Sequence, residues 1–268
     1  MKNQHALVLA SALLIVGLTT GCDVLSGGSG GDYSVVDIPA PGDVSLSDSL
    51  RAVYRTDAGR LALRRVQEEE GEAAQQVRLP DPLVESLYNA LLHVHASEDL
   101  DGRDTVVEQH RIHTYPTRSV HEVSVTPEEP PPSWIDAWKA GKRLTGNGAV
   151  DRLLREYDLQ LHEYNVYSQF ESARLRSETP LNTLALSDRF EGIGGVKYAD
   201  PGGFIGDGND IEATLSGNFV ELGYSVGFGD CPAGCGNRHY WTFRVFENGR
   251  VAFRGESGDP LPLGSVEQ

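Results

Sequence analysis

The N-terminal segment constrains this chain most strongly, because it predicts export. Residues 6–18 form an apolar run of thirteen residues that only Ser11 and Gly17 interrupt, and Lys2 places a positive charge ahead of it. A transmembrane helix needs about 20 apolar residues, so this run is too short to cross a bilayer. Its length is typical of the apolar region of a secretory signal peptide. We therefore expect the remainder to fold in an oxidising compartment, where disulfides form and persist.

The end of this run suggests how the exported chain is held. Leu18-Thr19-Thr20-Gly21-Cys22 resembles the lipobox of bacterial lipoproteins. The resemblance implies that the signal peptide is cleaved before Cys22 and that Cys22 is acylated, for example with palmitate. It also implies a membrane-anchored lipoprotein of the cell envelope. The alternative is a plain signal peptide, with Cys22 free or disulfide-bonded.

The cysteine count is consistent with lipidation. The chain has three cysteines, so acylation of Cys22 leaves Cys231 and Cys235 as a pair. We predict a disulfide between them, which closes a short loop and contributes about 2 kcal/mol in the chain-entropy model. A zinc site using Cys231, Cys235 and His239 is the alternative, although a fourth ligand is not evident. A thioredoxin-like redox pair is a weaker alternative, because three residues and not two separate the cysteines. The segment from Gly229 to Cys235, with the following His239-Tyr240-Trp241, resembles a segment of uncharacterised exported bacterial proteins, which implies no activity.

The composition and the positions of Gly- and Pro-containing segments predict an α+β fold made of two small α/β-sandwich-like halves. Apolar residues make up 39% of the chain, which is enough to form a core. Residues 26–31 contain only Gly and Ser and predict a flexible tether. We predict a signal peptide at 1–21, a lipid anchor and flexible tether at 22–48, a first α+β half at 49–127, a Pro/Gly-rich linker at 128–147 and a second α+β half at 148–268.

The first half is predicted from three patterns. Residues 54–66 read as a β-hairpin with its turn at Asp57-Ala58-Gly59. Apolar residues at helical spacing predict an amphipathic helix over 83–92. Residues 105–125 are rich in β-branched side chains and predict two strands joined by a turn.

The second half has clearer signals. Helices are predicted at 150–157 and 181–190, with one or two strands at 159–175 and another at 196–199. Strands are also predicted at 219–228 and 240–246, and Asn248-Gly249 predicts a β-hairpin that ends the half with antiparallel strands. The helix–strand–helix–strand order over 150–199 is similar to the ferredoxin-like propeptides of subtilisin-type proteases. That resemblance implies an inhibitor or chaperone module.

The net charge and the absence of certain catalytic motifs restrict the functions that we expect. The net charge of −16 argues against nucleic acid as a partner. The chain lacks a His-Glu-x-x-His motif and a phosphate-binding P-loop, which makes a non-enzymatic protein the main hypothesis. We therefore predict binding or surface contacts with an unidentified envelope protein. The alternatives are the propeptide-like module and a hydrolase with an unrecognised site.

Metal sites are weaker hypotheses. Oxygen-bearing side chains at positions 207–212 form a calcium alternative, although no cofactor is favoured; these residues are Asp207, Asn209, Asp210 and Glu212. Five histidines lie between positions 93 and 121, but their spacing does not direct them to one side of a helix or strand. We expect solvated or hydrogen-bonded histidines at these positions; they are His93, His95, His110, His113 and His121.

Overall fold

The computed structural model describes residues 35–42, 44–69, 71–167 and 170–262, so Cys22 and residues 26–31 lie outside the described residues. Within these ranges, helices accompany two four-stranded antiparallel sheets, which confirms the predicted α+β class. The helices are α1 (Asp48–Glu68), α2 (Asp81–Ala96), α3 (Ile135–Lys139), α4 (Gly148–Glu156) and α5 (Thr183–Glu191). The strands are β1 (Glu122–Pro127), β2 (Gln160–Val166), β3 (Glu171–Arg176), β4 (Val196–Asp200), β5 (Asp210–Ser216), β6 (Phe219–Phe228), β7 (Asn237–Phe246) and β8 (Val251–Gly258).

The hairpin predicted for residues 54–66 is wrong, because this segment lies inside helix α1. The helix begins after Ser47, whose side chain accepts a hydrogen bond from the Leu50 backbone N–H at 3.3 Å. Its buried residues recur at helical spacing, as Tyr54, Ala58 and Leu61 do. Gly59 marks a close contact and not a turn, since a Cβ there would lie 2.5 Å from Cβ of Pro180.

The two strands predicted for residues 105–125 are wrong in their first part. Thr105–Gln109 forms a π-helical turn, and the chain is irregular until β1 begins at Glu122. The backbone N–H groups of Thr114 and Tyr115 donate to the carboxylates of Asp57 and Asp210, at 3.0 and 2.6 Å. Side chains therefore satisfy backbone groups that a sheet ladder would otherwise pair.

The first hydrophobic core lies between two helices and one sheet. Strands β5, β6, β7 and β8 follow one another as an antiparallel meander, and α1 and α2 contact it. Helix α2 contains the predicted helix at 83–92, with Leu87 and Leu91 fully buried. Val220, Leu222 and Tyr224 alternate along β6 into this core. Strand β5 is not among the predicted strands, because it begins within residues 207–212, whose Asp, Asn and Gly are typical of loops.

The second core lies within residues 122–200. Its sheet has the order β2-β3-β1-β4, with α3 and α4 between β1 and β2 and with α5 between β3 and β4. This is the split connectivity of ferredoxin-like modules. The module begins and ends at one place, since Ser124 of β1 pairs with Asp200 of β4. The predicted helices at 150–157 and 181–190 and the strands at 159–175 correspond to elements of this module.

The two cores do not follow the predicted division into 49–127 and 148–268. The first core joins α1 and α2 to the meander, and the second module lies between these two parts in the sequence. Residues 128–147, which we predicted as a linker, include α3 and its fully buried Trp138. Arg78 and Leu181 form an isolated bridge, and the Asn182 side chain donates to the Ala74 carbonyl at 2.9 Å, which ties the second module to the segment between α1 and α2.

Candidate functional site

A buried carboxylate organises the polar groups beside α1. Asp57 is 1% exposed, and its Oδ1 accepts hydrogen bonds from the Thr114 N–H at 3.0 Å and the Thr114 hydroxyl at 2.6 Å. Its Oδ2 lies 2.6 Å from Nδ1 of His113. A carboxylate in this position orients an imidazole, as in sites of proton transfer. The same contacts also anchor the irregular segment to α1.

Tyr54 contacts two of the five histidines between positions 93 and 121, His95 and His113. Its hydroxyl lies 2.9 Å from Nδ1 of His95, and its ring centroid lies 5.6 Å from those of both His95 and His113. Burial, with a smaller contribution from Asp57, raises the pKa of Tyr54 well above its ordinary value. The hydroxyl is therefore protonated at neutral pH and is able to donate a hydrogen bond.

The remaining histidines are held separately from this group. Nε2 of His93 lies 2.8 Å from the Pro39 carbonyl, and His121 lies within hydrogen-bonding distance of Thr56 and Ser177. His110 packs against the Trp241 ring, and its Nε2 is buried with no hydrogen-bond partner in the described chain. Among the described residues, the structure has no group of three or more His, Cys, Asp or Glu residues that is arranged to hold a metal ion.

A cleft lined by arginines lies along α1 next to the Asp57 group. Arg64 donates from both terminal nitrogens to the two oxygens of Asp210, at 3.0 Å each. A cavity of about 70 Å³ adjoins a wider cleft of about 510 Å³, and the two share Arg64 and Thr117. We call the smaller cavity the arginine cleft; its lining is Arg60, Leu63, Arg64, Gln67, Tyr115, Thr117 and Arg118.

The predicted disulfide pair is present at the turn between β6 and β7. The sulfurs of Cys231 and Cys235 lie at disulfide distance. A side chain at Gly227 would collide with the Cys235 sulfur, so glycine is required there. In the zinc alternative His239 would be a ligand, but its Nδ1 lies 2.8 Å from the Asp259 carbonyl and its Nε2 lies 3.4 Å from Glu256.

The calcium candidates serve different contacts. Asp207 accepts hydrogen bonds from Arg238 and from the Gly208 and Cys235 backbones, and the Arg238 hydrogen bond is the main cause that lowers its pKa. Asp210 binds Arg64, whereas Asn209 is half-buried and Glu212 is exposed on β5. Two of the four suggested calcium ligands, Asp207 and Asp210, are therefore paired with arginines.

Exposed apolar side chains are grouped in two segments, the β2–β3 hairpin and the loop that follows β4. At the tip of the β2–β3 hairpin, Val166 is 67% exposed, Tyr167 is 49% exposed and Phe170 is 40% exposed. The rings of Tyr167 and Phe170 stack at 4.6 Å, and we call these three residues the hairpin tip. Phe204 and Ile205 are exposed in the loop after β4.

The overall comparisons do not assign a family. The chain matches no protein-family model, no curated protein and no solved structure. Within the described ranges, no helix is both long enough and apolar enough to cross a membrane.

Proposed function

We propose that this chain is a lipid-anchored protein of the bacterial cell envelope that acts by binding and not by catalysis. The N-terminal run and the lipobox-like segment support anchoring at Cys22. Part of the segment predicted as a flexible tether, 22–48, is packed on the body: the Asn89 side chain of α2 donates to the Ile38 carbonyl at 2.8 Å, and Val36 is buried. The anchor would therefore hold the body from a defined point on its surface.

The hairpin tip is the observation that carries the binding proposal. Apolar side chains grouped at the surface are typical of protein contact sites, and aromatic residues are enriched there. The Tyr167 N–H donates to the Phe170 carbonyl at 2.8 Å, so the backbone holds both rings at the surface. We infer that this tip contacts an envelope protein partner.

Anchoring is tested by labelling with a fatty-acid analogue in a bacterial host. We expect the wild-type chain to be labelled and to sediment with membranes, and Cys22→Ser to lose both properties. The matched control is the double variant Cys231→Ser/Cys235→Ser, which should keep the label. Labelling that persists in Cys22→Ser would contradict the lipoprotein proposal.

Binding at the hairpin tip is tested by photocrosslinking in intact cells. A photoreactive phenylalanine analogue at position 167 should give a discrete adduct with one envelope protein. The control places the analogue at Arg254, which is exposed on β8 in the other sheet. Equal adducts at both positions, or none at position 167, would contradict a role for the tip.

The strand order of residues 122–200 favours a second candidate, a protease-regulating module. The order β2-β3-β1-β4 with its crossover helices is the ferredoxin-like arrangement that the propeptide resemblance implies. The full-length chain should then inhibit a subtilisin-type protease at stoichiometric ratio. An absence of inhibition across a panel of such proteases would remove this candidate.

The hydrolase alternative is tested on the Asp57–His113 pair. Serine- and cysteine-directed activity probes should leave the chain unlabelled if it acts only by binding. Labelling that disappears in His113→Ala would contradict the non-enzymatic proposal.

A further inference from the structure

We propose that the arginine cleft binds the phosphate group of a small phosphorylated molecule. This site is separate from the hairpin tip, and the proposal does not depend on lipid anchoring. It rests on a concentration of cationic side chains in a chain whose net charge is −16. Clustered cations in an acidic protein attract anions to one place on its surface.

Arg64 lines both the arginine cleft and the wider cleft, and it is paired with Asp210. Besides the two hydrogen bonds to Asp210, Arg64 donates to the Ile211 carbonyl at 2.9 Å and to the Tyr115 carbonyl at 3.1 Å. Its guanidinium is therefore fixed in position and its charge is balanced by one carboxylate. This pair holds the segment that carries Arg118 against α1.

Arg60 and Arg118 supply the charge that is not balanced by such a pair. Arg60 donates from one terminal nitrogen to Thr114, at 3.3 Å to the carbonyl and 3.2 Å to the hydroxyl. Its Nε is buried with no hydrogen-bond partner among the described residues, and Arg60 lines the cleft. Arg118 is exposed at the cleft, and in the described part of the chain it forms no ion pair. Asp57, the buried carboxylate near Arg60, is hydrogen-bonded to His113 and Thr114 instead.

The balance of charge favours phosphate over carboxylate as the bound group. Three arginines line the cleft; Asp210 balances Arg64, and Asp57 offsets part of the charge of Arg60, so between one and two positive charges remain. A phosphate monoester carries about −1.5 to −2 at neutral pH. A single carboxylate is matched by one arginine, as Asp210 is by Arg64. Two guanidiniums that approach from α1 and from the loop are able to contact different oxygens of one phosphate.

The cleft also limits the rest of the ligand. A volume of about 70 Å³ accommodates one small oxyanion, and the ligand would continue into the wider cleft of about 510 Å³. Glu68 and Glu212 line this wider cleft, and Arg65 there is paired with Glu69. A second phosphate would be repelled, so we infer a monophosphate whose remaining part carries no negative charge.

The test is isothermal titration calorimetry of the full-length chain at constant ionic strength. The probes are inorganic phosphate and short-chain dihexanoyl phosphatidic acid, which separate a free phosphate from a lipid headgroup. We expect one-to-one binding of at least one probe, and the tighter one identifies the source. Arg118→Gln and Arg60→Gln should each weaken binding about tenfold or more, because each removes a charge-assisted hydrogen bond.

The control variant is Arg254→Gln, which removes an exposed arginine outside the cleft and should leave the affinity unchanged. Arg118 is exposed, so its substitution tests the site even if Arg60→Gln fails to fold. No binding of either probe to the wild-type chain would overturn the proposal. An equal loss of affinity in Arg118→Gln and Arg254→Gln would also overturn it.

Discussion

Replacing Asp57 measures how much one buried carboxylate stabilises the fold. Asp57→Ala removes three polar contacts and leaves the Thr114 N–H, the Thr114 hydroxyl and Nδ1 of His113 without their acceptor. At about 1–1.5 kcal/mol for each lost contact, the destabilisation is roughly 3–4 kcal/mol. The higher helix propensity of alanine in α1 offsets about 0.6 kcal/mol of it. We therefore expect the free energy of unfolding to fall by about 3 kcal/mol.

Asp57→Asn is the discriminating variant. An asparagine oxygen at the Oδ1 position still accepts both Thr114 hydrogen bonds, and its amide group is able to donate to Nδ1 of His113 in the other tautomer. We expect a loss of less than half that of Asp57→Ala. Asp188→Ala, at an exposed position of α5, is the control and should change stability by less than about 0.5 kcal/mol. The measurement is urea unfolding followed by circular dichroism. A loss in Asp57→Ala that equals the control would refute the reasoning.

Two further predictions concern the Cys231–Cys235 turn and the half-buried His121. The double variant Cys231→Ser/Cys235→Ser should lower the melting temperature by roughly 4–8 °C without global unfolding, because a short disulfide loop contributes about 2 kcal/mol. In the wild-type protein, intact mass after thiol alkylation should show that neither cysteine is alkylated. Alkylation of both would contradict the disulfide. Burial lowers the pKa of His121 below its ordinary value of 6.5, so the folded state binds fewer protons than the unfolded state. The free energy of unfolding should therefore fall as the pH decreases below 6.5, and His121→Gln should flatten this dependence in urea titrations at pH 5–7.5; an unchanged slope would contradict it.

Elements with a one-sided apolar pattern were predictable from the sequence. Helix α2 and strand β6 lie within a few residues of their predicted bounds, because each buries one clear face. Helix α1 was not predictable in this way, since Asp57 is a buried charged residue and Gly59 lies at a close contact. Both residues are typical of turns, and only tertiary packing places them inside a helix.

The candidate site was hidden for the same reason. The pattern Asp57-Ala58-Gly59 predicts a turn, and no local pattern predicts that Asp57 contacts His113, which is distant in sequence. The arginine cleft joins α1 to residues 115–118, and its lining residues share no local spacing. The Cys231–Cys235 pair was predictable, because two cysteines in a short Pro- and Gly-containing segment are brought together by local geometry.

The interleaving of the two cores sets the order in which the chain can be completed during synthesis. Helices α1 and α2 are made first, but the meander that covers Leu87 and Leu91 begins only after the whole of residues 122–200 has followed. The second module is continuous in sequence, so it can fold as soon as residue 200 has been made. The first core forms only when a long loop is closed, which costs conformational entropy and slows folding. A chain that stops before β6 would carry a folded second module beside two helices with uncovered apolar faces. We expect proteases to cleave such a product faster than the complete chain, because these apolar faces would be exposed.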